Sequence, residues 1–169
     1  LYRGTLILNL DLVVEAAELI KEVVPCADRV RLRSTGTEVC MAAAMVARAF
    51  TGKPKIVKFY GSFHGVTPEL MMGWSSHTTN VTSAGIPREF LANTIMLPWN
   101  DIDAIRQKLD EDEDIGTVIT DVIMGTGGIH LPKGSYLREL RELTRERGVI
   151  LIFDEVLTGF RMALGGSQE

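Results

Sequence analysis

The chain is poor in cysteine, has no membrane-length apolar run and carries no excess of positive charge. Each of these lacks excludes something. Its 169 residues hold two cysteines, Cys26 and Cys40; neither stands at a metal-ligand spacing, and both read as reduced core residues rather than a disulfide. The apolar stretch from Met41 to Ala47 is far short of the ~20 residues that cross a bilayer, so no membrane partner is expected. No basic-then-apolar leader opens the chain, which points to a cytoplasmic protein. The net charge is -4 with Lys and Arg scattered, which argues against a nucleic-acid surface. The phosphate-loop pattern G-x-x-x-x-G-K-[ST] is missing. There is also no initiator methionine: the chain runs from "LYRG" to "LGGSQE" and reads as an excerpt of a longer protein. What is present, 46% hydrophobic and 24% charged residues, is the composition of one globular domain whose partner is a small molecule.

Apolar positions at helical spacing run from Leu12 to Val24 and stop at Pro25. "RVRLRS" alternates as a short strand, and "TEVCMAAAMVARAFTG" is a helix stopped by Gly52. "KIVKFY" is strand-like, followed by a long Gly/Ser/Thr/Pro-rich stretch from Gly61 to Ala92 of the kind that is functional or forms a lid. "NTIML", "GTVITDVI" and "VILIFDE" read as strands, "DIDAIRQKL" and "SYLRELRELTRER" as helices, the second ended by Gly148. The five acids Asp110 to Asp114 read as a solvated turn, with the preceding helix ending near Leu109 because acids are disfavoured at its negative end. Alternating strands and helices, with a fully apolar strand from Val149 to Phe153, predict an α/β fold: three layers around a mostly parallel sheet covered on both faces.

In such sheets ligands bind beyond the carboxyl ends of the strands. Three places qualify. Ser34, Thr35, Gly36 and Thr37 lie where a strand pattern meets a helix, so unpaired N–H groups, hydroxyls and the helix dipole converge as a phosphate site would require. The same residues also fit a capping box, Thr35-x-x-Glu38, in which the side chains serve only the helix end. "FYGSFHG" sets Phe63 and His64 between Gly61 and Gly65, where an aromatic face can meet a flat ligand or simply join the core. "VILIFDEV" ends a buried strand in Asp154 and Glu155. Such a carboxylate caps a turn, holds magnesium in a nucleotide-hydrolysing domain, or pairs with a protonated ring nitrogen. His77 and His130 have no partner legible in the sequence. Met71, Met72 and Trp74 read as packing under the loop, and Arg161 as a surface or interface salt bridge.

Taken together and in this order, "STGTEVCMAAAMVARAFTGKPKIVKFYGSFHG" and "ILIFDEVLTGFR" resemble the class III aminotransferases, pyridoxal-phosphate enzymes of fold type I. The resemblance runs from about Leu12 to Glu169, and "RMALGGSQE" looks closest to the glutamate-1-semialdehyde aminomutase branch, whose amino transfer is intramolecular and serves tetrapyrrole synthesis. It implies that residues 1–169 are part of the cofactor-binding large domain, truncated, of a homodimeric transaminase that passes an amino group between a small-molecule amino donor and an oxo acid or aldehyde acceptor, with the aminomutase as the alternative. Position by position, it implies that Thr35, Gly36 and Thr37 hold the cofactor's phosphate. It places Phe63 and Val156 on the two faces of the pyridine ring, with His64 beside it, and gives Asp154 the ring nitrogen.

The resemblance has departures. Phe63 stands where the family usually has Tyr. Asp121, in "TDVIMGTGGI", stands near the cofactor's hydroxyl edge where the family commonly has Glu-Pro-Val, and the loop from Val66 to Arg88 does not reproduce the aminomutase gating segment. The Schiff-base lysine of the family lies beyond its Asp-Glu-Val motif, and Lys21, Lys53, Lys55, Lys58, Lys108 and Lys133 match no such role. These residues are therefore expected to be inactive alone. The rival readings are a magnesium-nucleotide ATPase domain using Asp154 and Glu155, and a cofactor-free homologue without catalysis.

Overall fold

The computed structural model describes residues 11–74 and 83–169. Helix α1 spans Asp11–Val23 and α2 spans Gly36–Thr51. Strand β1 (Lys55–Phe59) leads through a short 3-10 turn, Arg88–Leu91, to β2 (Thr94–Leu97). Then α3 (Ile102–Glu111), β3 (Ile115–Asp121), α4 (Tyr136–Glu146) and β4 (Ile150–Asp154) alternate. The four strands form one sheet in the order β2-β1-β3-β4. All three pairings are parallel. That is the α/β sheet expected from the strand–helix alternation.

Side chains alternate across each strand, so two cores form. On one face Val57, Phe59 and Val118 pack with Ile105 and Leu109 of α3 and Leu140 and Leu143 of α4. On the other, Ile56 and Ile119 pack with Cys40 and Ala44 of α2 and with Leu70. Helices on both faces make the three layers. β3, flanked by β1 and β4, is buried along its whole length. The helix ends follow local chemistry: Thr35 caps α2, and Gly52 closes it at φ 69° with its N–H on Arg48 O, a conformation that costs glycine little.

Four expectations are corrected. Residues 30–33 of "RVRLRS" form no strand, because no neighbouring strand among the described residues pairs with them. α3 runs on to Glu111 rather than stopping near Leu109, helped by Gln107 Nε2 donating to Glu111 Oε1 at 2.7 Å and by Asp110 meeting Arg147 at 2.7 Å. Cys26 is exposed, its Sγ 3.1 Å from Gln168 Oε1; only Cys40 is a core residue, and both are free thiols. β4, apolar enough for a central strand, is half-buried because β3 is its single partner in the described sheet. The acid-rich turn is also partly paired, since Lys55 Nζ reaches Asp112 at 2.9 Å and Asp114 at 3.2 Å. Among the described residues no helix is long and apolar enough to cross a membrane.

Candidate active site at the carboxyl edge of the sheet

Parallel strands end on one edge, and three of them deliver polar residues there. β3 ends at Asp121 and β4 at Asp154, which are register partners. The segment after β1 brings His64, buried, to the same place. His64 Nδ1 lies 2.6 Å from Asp154 Oδ2, and His64 Nε2 lies 4.0 Å from Asp121 Oδ2. Asp154 Oδ2 also receives the Cys40 thiol at 3.3 Å, and its Oδ1 receives the Val156 N–H at 3.0 Å. Burial pushes the Asp154 carboxyl up, but the bond and charge of His64, the Val156 N–H and the Cys40 thiol outweigh it, so the group is held below the usual carboxylate range. Asp121 goes the other way. Burial lifts it to about 6, with Asp154's charge adding to the rise and His64's opposing it. Two neighbouring carboxyls are thus driven apart, one held ionised and one close to taking a proton.

The turn at the start of α2 is a helix cap. The Glu38 N–H donates to Thr35 Oγ1 at 3.2 Å and the Ser34 N–H to Glu38 Oε2 at 3.0 Å, which is a capping box. The first N–H groups of the helix nonetheless have no intrahelical acceptor, and they face the same edge as the carboxylates. Close contacts fix the turn there. A Cβ on Gly36 would lie 2.8 Å from Val156 Cγ1, and one on Gly65 would lie 2.7 Å from Thr37 Cα. Gly65 has φ +95°, so glycine is needed there twice over. The Val66 N–H then donates to Thr37 Oγ1 at 3.3 Å. The structure therefore brings together Gly36, Thr37, His64, Asp121, Asp154 and Val156, with Thr35 as the cap. Phe63 is half-buried against Trp74, ring centroids 5.5 Å apart, so Trp74 packs on the loop as expected.

Several residues fall elsewhere. Glu155 is no metal partner for Asp154: its carboxylate accepts the Ser167 N–H at 2.5 Å, the Gln168 N–H at 3.1 Å and Gln168 Nε2 at 3.0 Å, clasping the turn at 165–168. That removes one carboxylate from the nucleotide-hydrolysing alternative. His130 is exposed, and its backbone pairs with Met124. Arg161 is exposed and forms no ion pair with the described residues. His77 lies outside the described residues, as does part of the loop from Val66 to Arg88.

Two residues of the site were missed in the sequence. Cys40 read as packing, although it lies one turn into the helix that opens at the site. Lys58 was set aside for matching no lysine role. It is wholly buried, and its Nζ donates to the carbonyls of Ser62 at 3.2 Å, Leu70 at 2.6 Å and Met72 at 2.6 Å. A lysine between Val57 and Phe59, in the interior of a buried strand, was the available signal. Lys58 braces the segment that carries Phe63 and His64.

The family model described as "Aminotransferase class-III" matches residues 5–166. The chain is 43% identical over 163 residues to the glutamate-1-semialdehyde 2,1-aminomutase of Archaeoglobus fulgidus, covering 95% of this chain and 39% of that protein. It is 46% identical over 158 residues to the protein of that name from Methanothermobacter thermautotrophicus, covering 92% of this chain and 38% of that one. Among solved structures it superposes on an omega-transaminase from Sphaerobacter thermophilus with a TM-score of 0.89 at 32% identity, covering 96% of this chain and 39% of that one. It also superposes on a glutamate-1-semialdehyde-aminomutase from Pseudomonas aeruginosa PAO1 with a TM-score of 0.80 at 26% identity, covering 92% and 35%. The chain thus spans well under half the length of these relatives.

Proposed function

Because the chain belongs to the class III aminotransferase family, we propose that it is part of the large domain of a pyridoxal-phosphate enzyme that moves an amino group, with glutamate 1-semialdehyde as the substrate. The observation that carries the reading is Asp154: a largely buried carboxylate, held ionised by three donors, at the carboxyl edge of a parallel sheet and beside a helix N-terminus. A buried anion of this kind calls for a cationic partner. A protonated pyridine nitrogen supplies one, and a phosphate on the same ring suits the N–H groups at the start of α2. At the same edge His64 Nε2 and Asp121 Oδ2, which face each other at 4.0 Å, are buried and form no hydrogen bond.

When bound, pyridoxal phosphate supplies an electron sink for the carbon bearing the substrate's amino group. This chain's residues would hold and tune it. Gly36 and Thr37 would bind the phosphate through their N–H groups, while Thr35 keeps the helix end rigid. Asp154 would pair with the protonated ring nitrogen, and His64 orients Asp154. Val156 and Phe63 would pack on the ring; the closeness of Val156 to Gly36 supports its part in this. Asp121 would stand toward the ring's hydroxyl edge, a shorter reach than Glu would have. The family resemblance implies that the Schiff-base amine would come from a lysine outside these 169 residues; Lys58, held by three carbonyls, and Lys55 and Lys108, paired with neighbouring acids, are engaged elsewhere.

The aminomutase reading is favoured over a two-substrate transaminase by the relatives that share 43% and 46% identity with this chain. We also propose a homodimer, as the family resemblance implies; Met45, Val46 and Phe50 on α2, and Leu157, Phe160, Met162 and Leu164 after β4, expose apolar side chains that a partner subunit or the remainder of a longer protein would cover. The test uses the full-length protein. Adding pyridoxal phosphate should give an absorbance band near the visible edge, and borohydride reduction followed by peptide mapping should place the adduct on a lysine beyond Glu169. Supplied with glutamate 1-semialdehyde alone, the protein should form the 2,1-isomer without any added oxo acid. A requirement for an oxo acid would make it a transaminase, and the absence of a band would refute both.

A further inference from the structure

One of the three donors to Asp154, the Cys40 thiol, has been given no role of its own. Cys40 lies on the buried face of α2, four residues after Gly36, packed with Ile56 and Ile119. Its thiol stays protonated, because burial and the charge of Asp154 both push it far up. It is therefore a donor, and Asp154 Oδ2 at 3.3 Å is its acceptor. The same oxygen takes His64 Nδ1 at 2.6 Å, whereas Oδ1 takes only the Val156 N–H at 3.0 Å. A carboxylate has roughly four lone-pair sites, two on each oxygen. Oδ2 is full and Oδ1 has one site open.

The terminal torsion of an aspartate is soft, so a single donor would leave its plane free to rotate. Donors from α2, from the segment after β1 and from the turn after β4 converge on it from three directions. We propose that Cys40 is a positioning residue: together with His64 it fills Oδ2 of Asp154 and fixes the carboxylate plane, so that the open site on Oδ1 is the one that meets a protonated ring nitrogen. This rests on the pyridoxal-phosphate reading above. One helix then sets both ends of the ligand. Gly36 holds the phosphate end and Cys40, about 6 Å further along the same axis, sets the nitrogen end.

Infrared spectroscopy of the cofactor-free full-length protein tests the contact directly. The difference between wild type and Cys40→Val isolates the Cys40 S–H stretch, which should lie where thiols bonded to carboxylates absorb and should move to the free-thiol position in Asp154→Ala. A free-thiol band in the wild type overturns the proposal. In the loaded enzyme, Cys40→Val keeps an apolar side chain and loses the donor, so pyridoxal-phosphate retention should weaken about three- to tenfold. The pH midpoint of the cofactor's absorbance should shift with it, and Cys40→Ser, which keeps a donor, should recover most of both. Retention and midpoint unchanged in Cys40→Val would also overturn it. A wild type that takes up no cofactor refutes the function proposed above, and the infrared band still decides whether Cys40 holds Asp154.

Discussion

Replacing Lys58 with methionine keeps the length of the side chain and removes its ammonium, which makes the consequence calculable. Three carbonyls, those of Ser62, Leu70 and Met72, lose their donor in a buried place. At ~2 kcal/mol for each unsatisfied group, the loss is about 6 kcal/mol. Against it stands the cost of burying the ammonium, which pulls Lys58 from 10.5 to about 8. That lowering corresponds to about 3 kcal/mol that methionine does not incur. The net expectation is a local destabilisation of about 3 kcal/mol, which is roughly a hundredfold in an opening equilibrium. Hydrogen exchange in the full-length protein reads this directly: the amides of Gly61, Ser62 and Leu70, which donate to Gly73 O, Phe59 O and Thr67 O, should exchange about a hundredfold faster in Lys58→Met. The sign with pH is also determined. A lysine whose folded value is depressed carries its full penalty below pH 8, and the penalty fades between about 8 and 10.5, so the wild type gains on the variant across that window. Equal exchange rates in the two proteins, or a gap that closes as pH rises, would refute the reasoning.

Other expectations follow from the same site. Asp121 has its folded value raised from 3.8 to about 6, so the native state keeps a proton there that the unfolded state has already released. Stability from this group is present at low pH and falls as pH rises through that window, by on the order of 3 kcal/mol; urea titrations at pH 4 and pH 7 should show the fall in the wild type and its loss in Asp121→Asn. Gly65→Ala combines φ +95° with a Cβ 2.7 Å from Thr37 Cα. It should cost about 2 kcal/mol or more, seen as a lower melting temperature and weaker cofactor retention. Unchanged melting would mean the turn has room that the contact denies. Asp154→Asn removes the anion and keeps the shape; retention of pyridoxal phosphate, followed by absorbance after dialysis, should fall about a hundredfold or more. A variant that holds the cofactor like the wild type would remove the ground for the proposed function.

Much of this protein is determined locally. The helical spacing between Leu12 and Val24, the Thr35 cap, the Gly52 stop and the apolar strands each follow from neighbouring residues, and they form as the sequence predicts. The alternation of strand and helix also determined the parallel sheet, because a strand returning in the same direction needs a crossover to carry it. From that alone the carboxyl edge, and with it Gly36, His64 and Asp154, stood out as the place for a ligand. Tertiary structure decided what depends on distant partners. "RVRLRS" has a strand's alternation, but a strand exists only where another pairs with it. Cys40 and Asp154 are 114 positions apart, and no local pattern connects a thiol in a helix with a carboxylate at the end of a strand. Lys58 matches no lysine role in the sequence, and only the folded segment sets three carbonyls around its ammonium. Electrostatics were decided there as well: Asp121 and Asp154 are the same residue type at paired positions, and only their three-dimensional neighbours drive one up and hold the other down.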